Sequence, residues 1–149
     1  MQYKYFETLL DLNILYDSFQ KCKSDVDWKY SIQRFEANIF QNIKDIKHRL
    51  ESGEYKPDKF VEFDVNERGK TRHIKSPSIR DRVLQRAICD YVLEPLIYPK
   101  LIYNNGASVK GKGVDFSRKQ LDKYLRKYCS KHGNKGYILV GDFSKFFES

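Results

Sequence analysis

Apolar residues recur at helical spacing in several stretches of the chain. In residues 5–22, 27–52, 79–98 and 114–131, apolar side chains stand three or four positions apart, which predicts amphipathic helices. The stretch 27–52 is the most regular, and Gly53 directly after it predicts the end of that helix. Its apolar members are Trp28, Ile32, Phe35, Ile39, Ile43, Ile46 and Leu50.

Strict alternation of apolar and polar residues marks a different kind of element. It begins in residues 60–66, where valine and phenylalanine alternate with acidic residues, and this predicts a strand. The stretch 70–75 returns as a second strand, with Lys70 and Arg72 on one face. Gly69 ends the connection between them and favours a positive φ. The sequence therefore predicts a β-hairpin with a basic return strand.

The two cations of the return strand, Lys70 and Arg72, allow two interpretations. Side by side on one face, they could contact a polyphosphate. Alternatively, they defend an edge strand against pairing with another sheet. The residues alone leave both interpretations open.

The helix predicted over 79–98 carries arginines away from its apolar face. Ser78 is a natural N-cap for it. Arg82 and Arg86 stand four apart, on one side of the helix, and could bind a backbone phosphate. Asp90 stands four residues beyond Arg86 and offers it an intramolecular partner instead. Pro95 predicts a kink or an end to the regular helix.

An apolar run, 137–140, precedes a carboxylate near the end of the chain. The run is short, unbroken and rich in residues that favour strands, which predicts a strand buried on both faces. Asp142 then lies at the carboxyl end of that strand, where active sites of α/β proteins are often found. The alternative is that Asp142 caps the next turn. Two phenylalanines, Phe146 and Phe147, follow Asp142. Core packing is the simplest interpretation of Phe146 and one of two interpretations of Phe147.

Composition adds a class of partner to this pattern. The chain has 149 residues, enough for one domain, and carries a net charge of +8 with 11 tyrosines and 10 phenylalanines. A basic, tyrosine-rich surface suits contact with phosphates and stacking on bases. The alternative is that the lysine-rich helices are merely solvated; this is also the simpler interpretation of Lys44, Lys47 and Arg49.

Cysteine and histidine positions argue against several classes of protein. The three cysteines are far apart and odd in number, so we expect no disulfide framework and a reducing, cytoplasmic setting. The three histidines lack the spacing of a structural zinc site. The first residues lack a signal-peptide pattern, and no run is long enough to span a membrane.

Three segments, in order, resemble blocks of one enzyme family. The sequence YILVGDFSKFFES at 137–149 resembles motif A of reverse transcriptases. The block 70–93, with RHIKSPSIRDRVLQRAI, and the block 105–113, within NNGASVKGKG, resemble the family's preceding blocks. The resemblance is to bacterial reverse transcriptases of the group II intron, retron and diversity-generating types. It implies an α+β, mostly helical fold, with N-terminal helices and fingers over 1–136 and the first palm strand of a right-hand polymerase over 137–149.

The resemblance also implies roles for individual residues. Asp142 matches a catalytic carboxylate that binds Mg²⁺ together with the backbone carbonyl of Phe143. Arg72 matches the contact to the triphosphate of an incoming dNTP, with Lys70 as a helper, and Phe147 matches the aromatic residue that selects deoxynucleotides. The block 105–113, which contains Lys110 and Lys112 among glycines, is called the glycine–lysine loop. Asp142, Arg72 and this loop should then share one cleft. The implied nucleic-acid contacts are Arg80, Arg82, Arg86, Lys110 and Lys112.

The expected function is that of an N-terminal part of an RNA-directed DNA polymerase, with an RNA template, a DNA primer and dNTP as partners. The second carboxylate pair of the family, in a Tyr-x-Asp-Asp hairpin, is absent from the 149 residues. One aspartate cannot hold two metal ions, so we expect the chain alone to be inactive. The alternative is a non-catalytic RNA-binding module derived from a reverse transcriptase. The apolar run 137–140 should pair in an intact palm with strands that the 149 residues lack, so we expect self-association or a disordered C-terminus.

Overall fold

The structure is a computed structural model and describes residues 2–143. It is a mixed α+β, mostly helical fold with one two-stranded antiparallel hairpin in the described part, which confirms the predicted fold class at that level. The first helices are α1 Gln2–Leu9, α2 Leu12–Lys23, α3 Tyr30–Ala37 and α4 Ile39–Glu51; the hairpin strands β1 Val61–Glu67 and β2 Lys70–Ser76 follow. The later helices are α5 Ile79–Ile88, α6 Glu94–Ile97 and α7 Val114–His132.

The chain divides into two compact units, Met1–Lys100 and Leu101–Ser149. This boundary precedes the boundary at 136/137 that the motif series predicts. The predicted division into fingers and palm concerns function and stays a prediction. Among the helices of residues 2–143, none is long and apolar enough to cross a bilayer.

The buried core of the first unit lies where α2, α3, α4 and α5 meet. Each of these helices contributes side chains from the apolar face that its sequence predicts. The stacked rings of Phe19 and Phe35, with centroids 5.2 Å apart, join α2 to α3. The core holds α5 rigidly and so fixes where its arginines point. Its members are Leu15, Phe19, Ile32, Ile43, Ile46, Val83 and Ala87.

Two of the predicted helices are each broken once. The predicted helix 27–52 is interrupted at Asn38, whose φ of −126° and ψ of 39° leave the helical region. The side chain of Asn42 donates to the carbonyl of Phe35 (2.8 Å) and satisfies a backbone group freed by the break. In the first predicted helix, Asp11 accepts a hydrogen bond from the amide of Asn13 (2.8 Å) and starts α2 afresh. Apolar periodicity continues across both breaks, so it could not reveal them.

The segment after β2 follows its prediction closely. The hydroxyl of Ser78 accepts a hydrogen bond from the amide of Asp81 (3.2 Å), which confirms the predicted cap. Beyond α5 the chain widens into a π-helical segment, Cys89–Leu93, before α6. Pro95 explains the change because it lacks an N–H and crowds the carbonyl four residues earlier. The predicted disturbance at Pro95 is therefore confirmed.

The strand predicted over 137–140 is not formed. Residues 137–143 have no regular secondary structure, and Tyr137, Leu139 and Val140 are almost fully exposed, at 106%, 97% and 86%. A strand needs a hydrogen-bonding neighbour, and the two strands in the described part of the chain pair with each other. The expectation of a buried palm strand is thus wrong for the described residues.

Candidate functional site

The hairpin turn is built as its sequence predicts. Arg68 and Gly69 are the two residues of the turn, with positive φ values of 50° and 75°. Positive φ at both positions matches the twist of the flanking strands, and glycine adopts it without strain. The resulting register places Val65 opposite Arg72 and Glu67 opposite Lys70.

Arg72 and Lys70 lie on one face of β2, as predicted. They are two positions apart in a regular strand, so their side chains leave the sheet on the same side. Arg72 contacts Glu67, with Nη1 3.4 Å from Oε2, and its side chain is 63% exposed. An ion pair this exposed contributes little stability, so the guanidinium can exchange the carboxylate for a phosphate at small cost.

The opposite face of the hairpin carries a charge cluster that the sequence did not reveal. His73 lies between two carboxylates, with Nδ1 2.8 Å from Asp64 and Nε2 3.2 Å from Glu62. These carboxylates raise the pKa of His73. Hydrogen bonds from His73 and Lys75 in turn lower the pKa of Glu62. Only the register, which sets His73 opposite Asp64, brings these groups together.

Arg80 is engaged within the first unit. Its guanidinium contacts the carboxylate of Asp58 and donates to the carbonyl of Lys56 (3.2 Å), and it lies over the ring of Tyr55. The side chain is only 16% exposed. Arg80 therefore ties the segment after α4 to the start of α5, and its phosphate-binding surface is small.

A buried carboxylate completes this attachment, and the sequence indicated only its capping position. Asp81 accepts hydrogen bonds from the Tyr55 hydroxyl (2.6 Å), the Asp58 amide (2.9 Å) and the Ser78 hydroxyl (2.9 Å). Burial acts to raise the pKa of Asp81, but these three hydrogen bonds outweigh it and hold that pKa below its usual value. We call the group of Tyr55, Asp58, Ser78, Arg80 and Asp81 the loop clamp.

Arg82 and Arg86 border one cavity of about 360 Å³ between α2 and α5. Arg86 is half exposed and its Nε lies 3.0 Å from Asp90, so the alternative partner predicted from sequence is confirmed. Asp90 is shared, because the Lys21 ammonium also lies 3.0 Å from it. The Arg82 side chain has no ion-pair partner among residues 2–143. Arg82 is therefore the most available cation of α5.

The glycine–lysine loop lies in the second unit and shows two different lysines. Lys112 donates to the carbonyl of Tyr103 (2.6 Å) and lies over the rings of Tyr103 and Phe116, 4.7 and 4.9 Å from their centroids. Lys110 is exposed, and the described part of the chain offers it no partner. Lys112 thus holds the loop together, whereas Lys110 is available to a ligand.

Asp142 and Phe143 are exposed at the end of the described chain. Within residues 2–143, no group of three or more histidine, cysteine, aspartate or glutamate side chains is arranged to hold a metal ion. Phe146 and Phe147 lie outside the described residues. The predicted cleft shared by Asp142, Arg72 and the glycine–lysine loop stays a prediction.

Comparisons with protein-family models and with curated proteins give no match to this chain. The geometry adds a basic hairpin, a capped helix whose partly buried Arg82 has no ion-pair partner in the described part of the chain, and the loop clamp between the segments that flank the hairpin.

Proposed function

We propose that this chain is the N-terminal part of an RNA-directed DNA polymerase of the bacterial reverse-transcriptase kind. One observation carries the proposal. The block that most resembles the family, 70–93, forms a basic return strand, a capped turn at Ser78 and a helix with an available arginine. These are the parts that a nucleotide- and template-binding element needs, in the order in which the motifs occur.

In this proposal the two cationic elements have separate tasks. The exposed guanidinium of Arg72, with Lys70 beside it, binds the triphosphate of the incoming dNTP. Arg82 and Arg86 bind the backbone of the RNA template or the DNA primer, and Lys110 adds a further phosphate contact. Arg80 does not bind nucleic acid in this proposal. Its contacts in the loop clamp make it a positioning residue for α5.

Magnesium belongs to the proposal for the polymerase, with Asp142 and the Phe143 carbonyl as ligands. The described residues do not suffice for the two-ion site. Mg²⁺ requires about six oxygen ligands in octahedral geometry, and these two groups supply only two of them. Further carboxylates are needed, and no chemical step is assigned to the described residues.

The test of nucleic-acid binding is fluorescence anisotropy with a labelled RNA–DNA primer–template. Replacing two of the phosphate-binding cations, as Arg82→Gln with Arg86→Gln, should weaken binding about tenfold and reduce the salt slope by about 1.5. The control pair Lys44→Gln with Lys47→Gln removes the same charge from α4 and should leave the affinity within about twofold. Equal losses in both pairs, or no salt-sensitive binding at all, would refute the proposal.

The second candidate is a non-catalytic RNA-binding module. It is favoured by the exposed cations Arg72 and Lys110, since contacts of this kind bind a nucleic-acid backbone without a metal site. Fluorescent dATP separates the two candidates. The polymerase proposal expects nucleotide binding that Arg72→Gln weakens and that Lys75→Gln, on the opposite face of β2, leaves unchanged. RNA binding without any nucleotide binding favours the module.

A further inference from the structure

A pocket in the second unit lies between α7 and the segment that follows it. The hydroxyl of Tyr128 donates to the carbonyl of Lys135 (3.2 Å), which holds the segment against the helix. Gly136 permits this approach, because a Cβ there would stand only 3.0 Å from the Tyr128 ring. The pocket between them is open to solvent and has a volume of about 540 Å³, within the usual range of small-molecule sites.

The walls of this pocket are aromatic and aliphatic, and its charged residues are cationic. The rings of Tyr124 and Tyr128 on α7 are half exposed towards it, and the fully exposed Tyr137 borders it on the returning segment, where its ring is free to cover a bound group. Three lysines border the same space, and none of the described residues that line it is an aspartate or a glutamate. The pocket is therefore complementary to a flat, apolar group that carries negative charge. The three lysines are Lys127, Lys131 and Lys135.

We propose that this pocket binds one unpaired nucleotide of a single-stranded nucleic acid. The base stacks on the tyrosine rings, which accept every base because every base has a π-face. The flanking phosphates contact the three lysines. The site goes beyond the proposed function, since neither the hairpin nor α5 belongs to it.

Charge separates a nucleotide from other occupants of an apolar pocket. An uncharged peptide would leave three lysines on the rim without partners, whereas each phosphate adjoining the stacked base can pair with one of them. Aromatic rings and lysines also alternate along the pocket side of α7, from Tyr124 to Lys131. This alternation matches the alternation of base and phosphate along a single strand.

The test uses a short RNA with 2-aminopurine at its centre, and the matching DNA, added to the full 149-residue chain. Uracils flank the 2-aminopurine because they stack on it only weakly in the free strand, so stacking on a tyrosine should quench its fluorescence. Changing the three pocket lysines together, as Lys127→Gln, Lys131→Gln and Lys135→Gln, should weaken binding at least about tenfold and reduce the salt slope by about 2. The RNA and DNA arms decide which strand the site takes.

A matched control exists on the same helix. Changing Arg118→Gln, Lys119→Gln and Lys123→Gln removes equal charge from exposed residues outside the pocket lining, and should change the affinity less than about threefold. Tyr137→Leu should abolish the quenching, whereas Tyr30→Leu in the first unit should not. The Lys44→Gln, Lys47→Gln chain, which loses charge from α4 in the first unit, should keep the quenching.

Three outcomes would overturn the proposal. The first is binding without quenching, which means charge contact only. The second is equal weakening by the pocket and control triples. The third is that a second copy of the chain, detected by sedimentation, occupies the pocket and excludes the oligonucleotide.

Discussion

Asp81 is the residue on which the attachment of the hairpin to the core depends most directly. Its carboxylate is buried and accepts three hydrogen bonds from the loop clamp. Asp81→Asn keeps the size of the side chain but replaces an acceptor with a donor, so at least one partner loses its hydrogen bond. We expect a loss of about 1–3 kcal/mol in the free energy of unfolding, measured by urea denaturation at neutral pH.

The pH dependence gives this prediction a sign. Because the folded protein lowers the pKa of Asp81, its stabilisation is present above the unfolded pKa of about 3.9 and is lost as pH falls through the folded pKa. The difference between the wild type and Asp81→Asn should therefore shrink in acid. Asp27→Asn, an exposed aspartate of the same unit, should show neither effect. A constant difference down to strong acid would contradict the assignment.

At the residue scale, sequence patterns foresaw local partners and missed distant ones. The cap of Ser78 and the pairing of Arg86 with Asp90 span three and four residues, which helical geometry predicts directly. The bond from Tyr55 to Asp81 spans 26 residues. Periodicity carries no information over that separation, so the sequence does not reveal that Arg80 belongs to the loop clamp.

The hairpin is an element whose stability should depend on pH. His73 in its charged form donates to Asp64 and Glu62 across the two strands, and these carboxylates raise its pKa. The stabilisation is therefore fully present below about pH 6.5, the ordinary pKa of histidine, and is lost as pH rises through the raised value. Lys75, beside Glu62, is the other charged group at this cluster.

The measurement is a titration followed by NMR. The His73 ring should titrate above its ordinary value, and strand-like chemical shifts of β1 and β2 should decline over the same pH range. His73→Gln should remove this pH dependence and leave that of α5 unchanged. If the chemical shifts of β1 and β2 do not change while His73 titrates, the charge on His73 does not stabilise the hairpin.

At the element scale, prediction succeeded where local pattern decides the structure. The hairpin, α5 and α7 begin and end within two residues of their predicted bounds, or continue through the π-helical segment as helix. The prediction of a strand over 137–140 is wrong for a physical reason. Its composition favours a strand, but a strand also needs a neighbour, and composition does not reveal whether one is present. The prediction of one continuous helix over 27–52 is wrong at Asn38, because apolar spacing continues across the break.

The two units of the molecule should differ in local stability. The first unit contains the buried core, whereas no residue of α7 in the second unit is buried. A helix that buries no side chain gains little from packing, and packing supplies most of the stability of helices in proteins. Hydrogen exchange of the α7 amides should be at least about a hundredfold faster than exchange in α2 and α5. Equal protection of α7 and α2 would contradict this prediction.

Addition of the single-stranded oligonucleotide gives a second measurement on α7. If the pocket binds a nucleotide, the bound form should slow exchange in α7, because binding stabilises the folded state of that helix. In the Arg82→Gln, Arg86→Gln chain, addition of the oligonucleotide should leave the exchange rates of the first unit unchanged. Protection that appears only in α2 and α5 would place the bound strand in the first unit.

The whole chain should also self-associate through Leu139 and Val140, the part of the exposed run 137–140 that does not line the nucleotide pocket. Leu139 and Val140 are almost fully exposed and do not line the nucleotide pocket, so their apolar surface and backbone groups are open to a second copy. Sedimentation between about 5 and 200 µM should show a rising average mass, since such pairing depends on concentration. Leu139→Lys should abolish the rise, because charge on an open edge opposes pairing. Ile102→Lys changes an equally apolar exposed residue outside the run and should leave the rise intact. A chain that stays monomeric over the whole range would show that an exposed apolar run of this length is not sufficient for association.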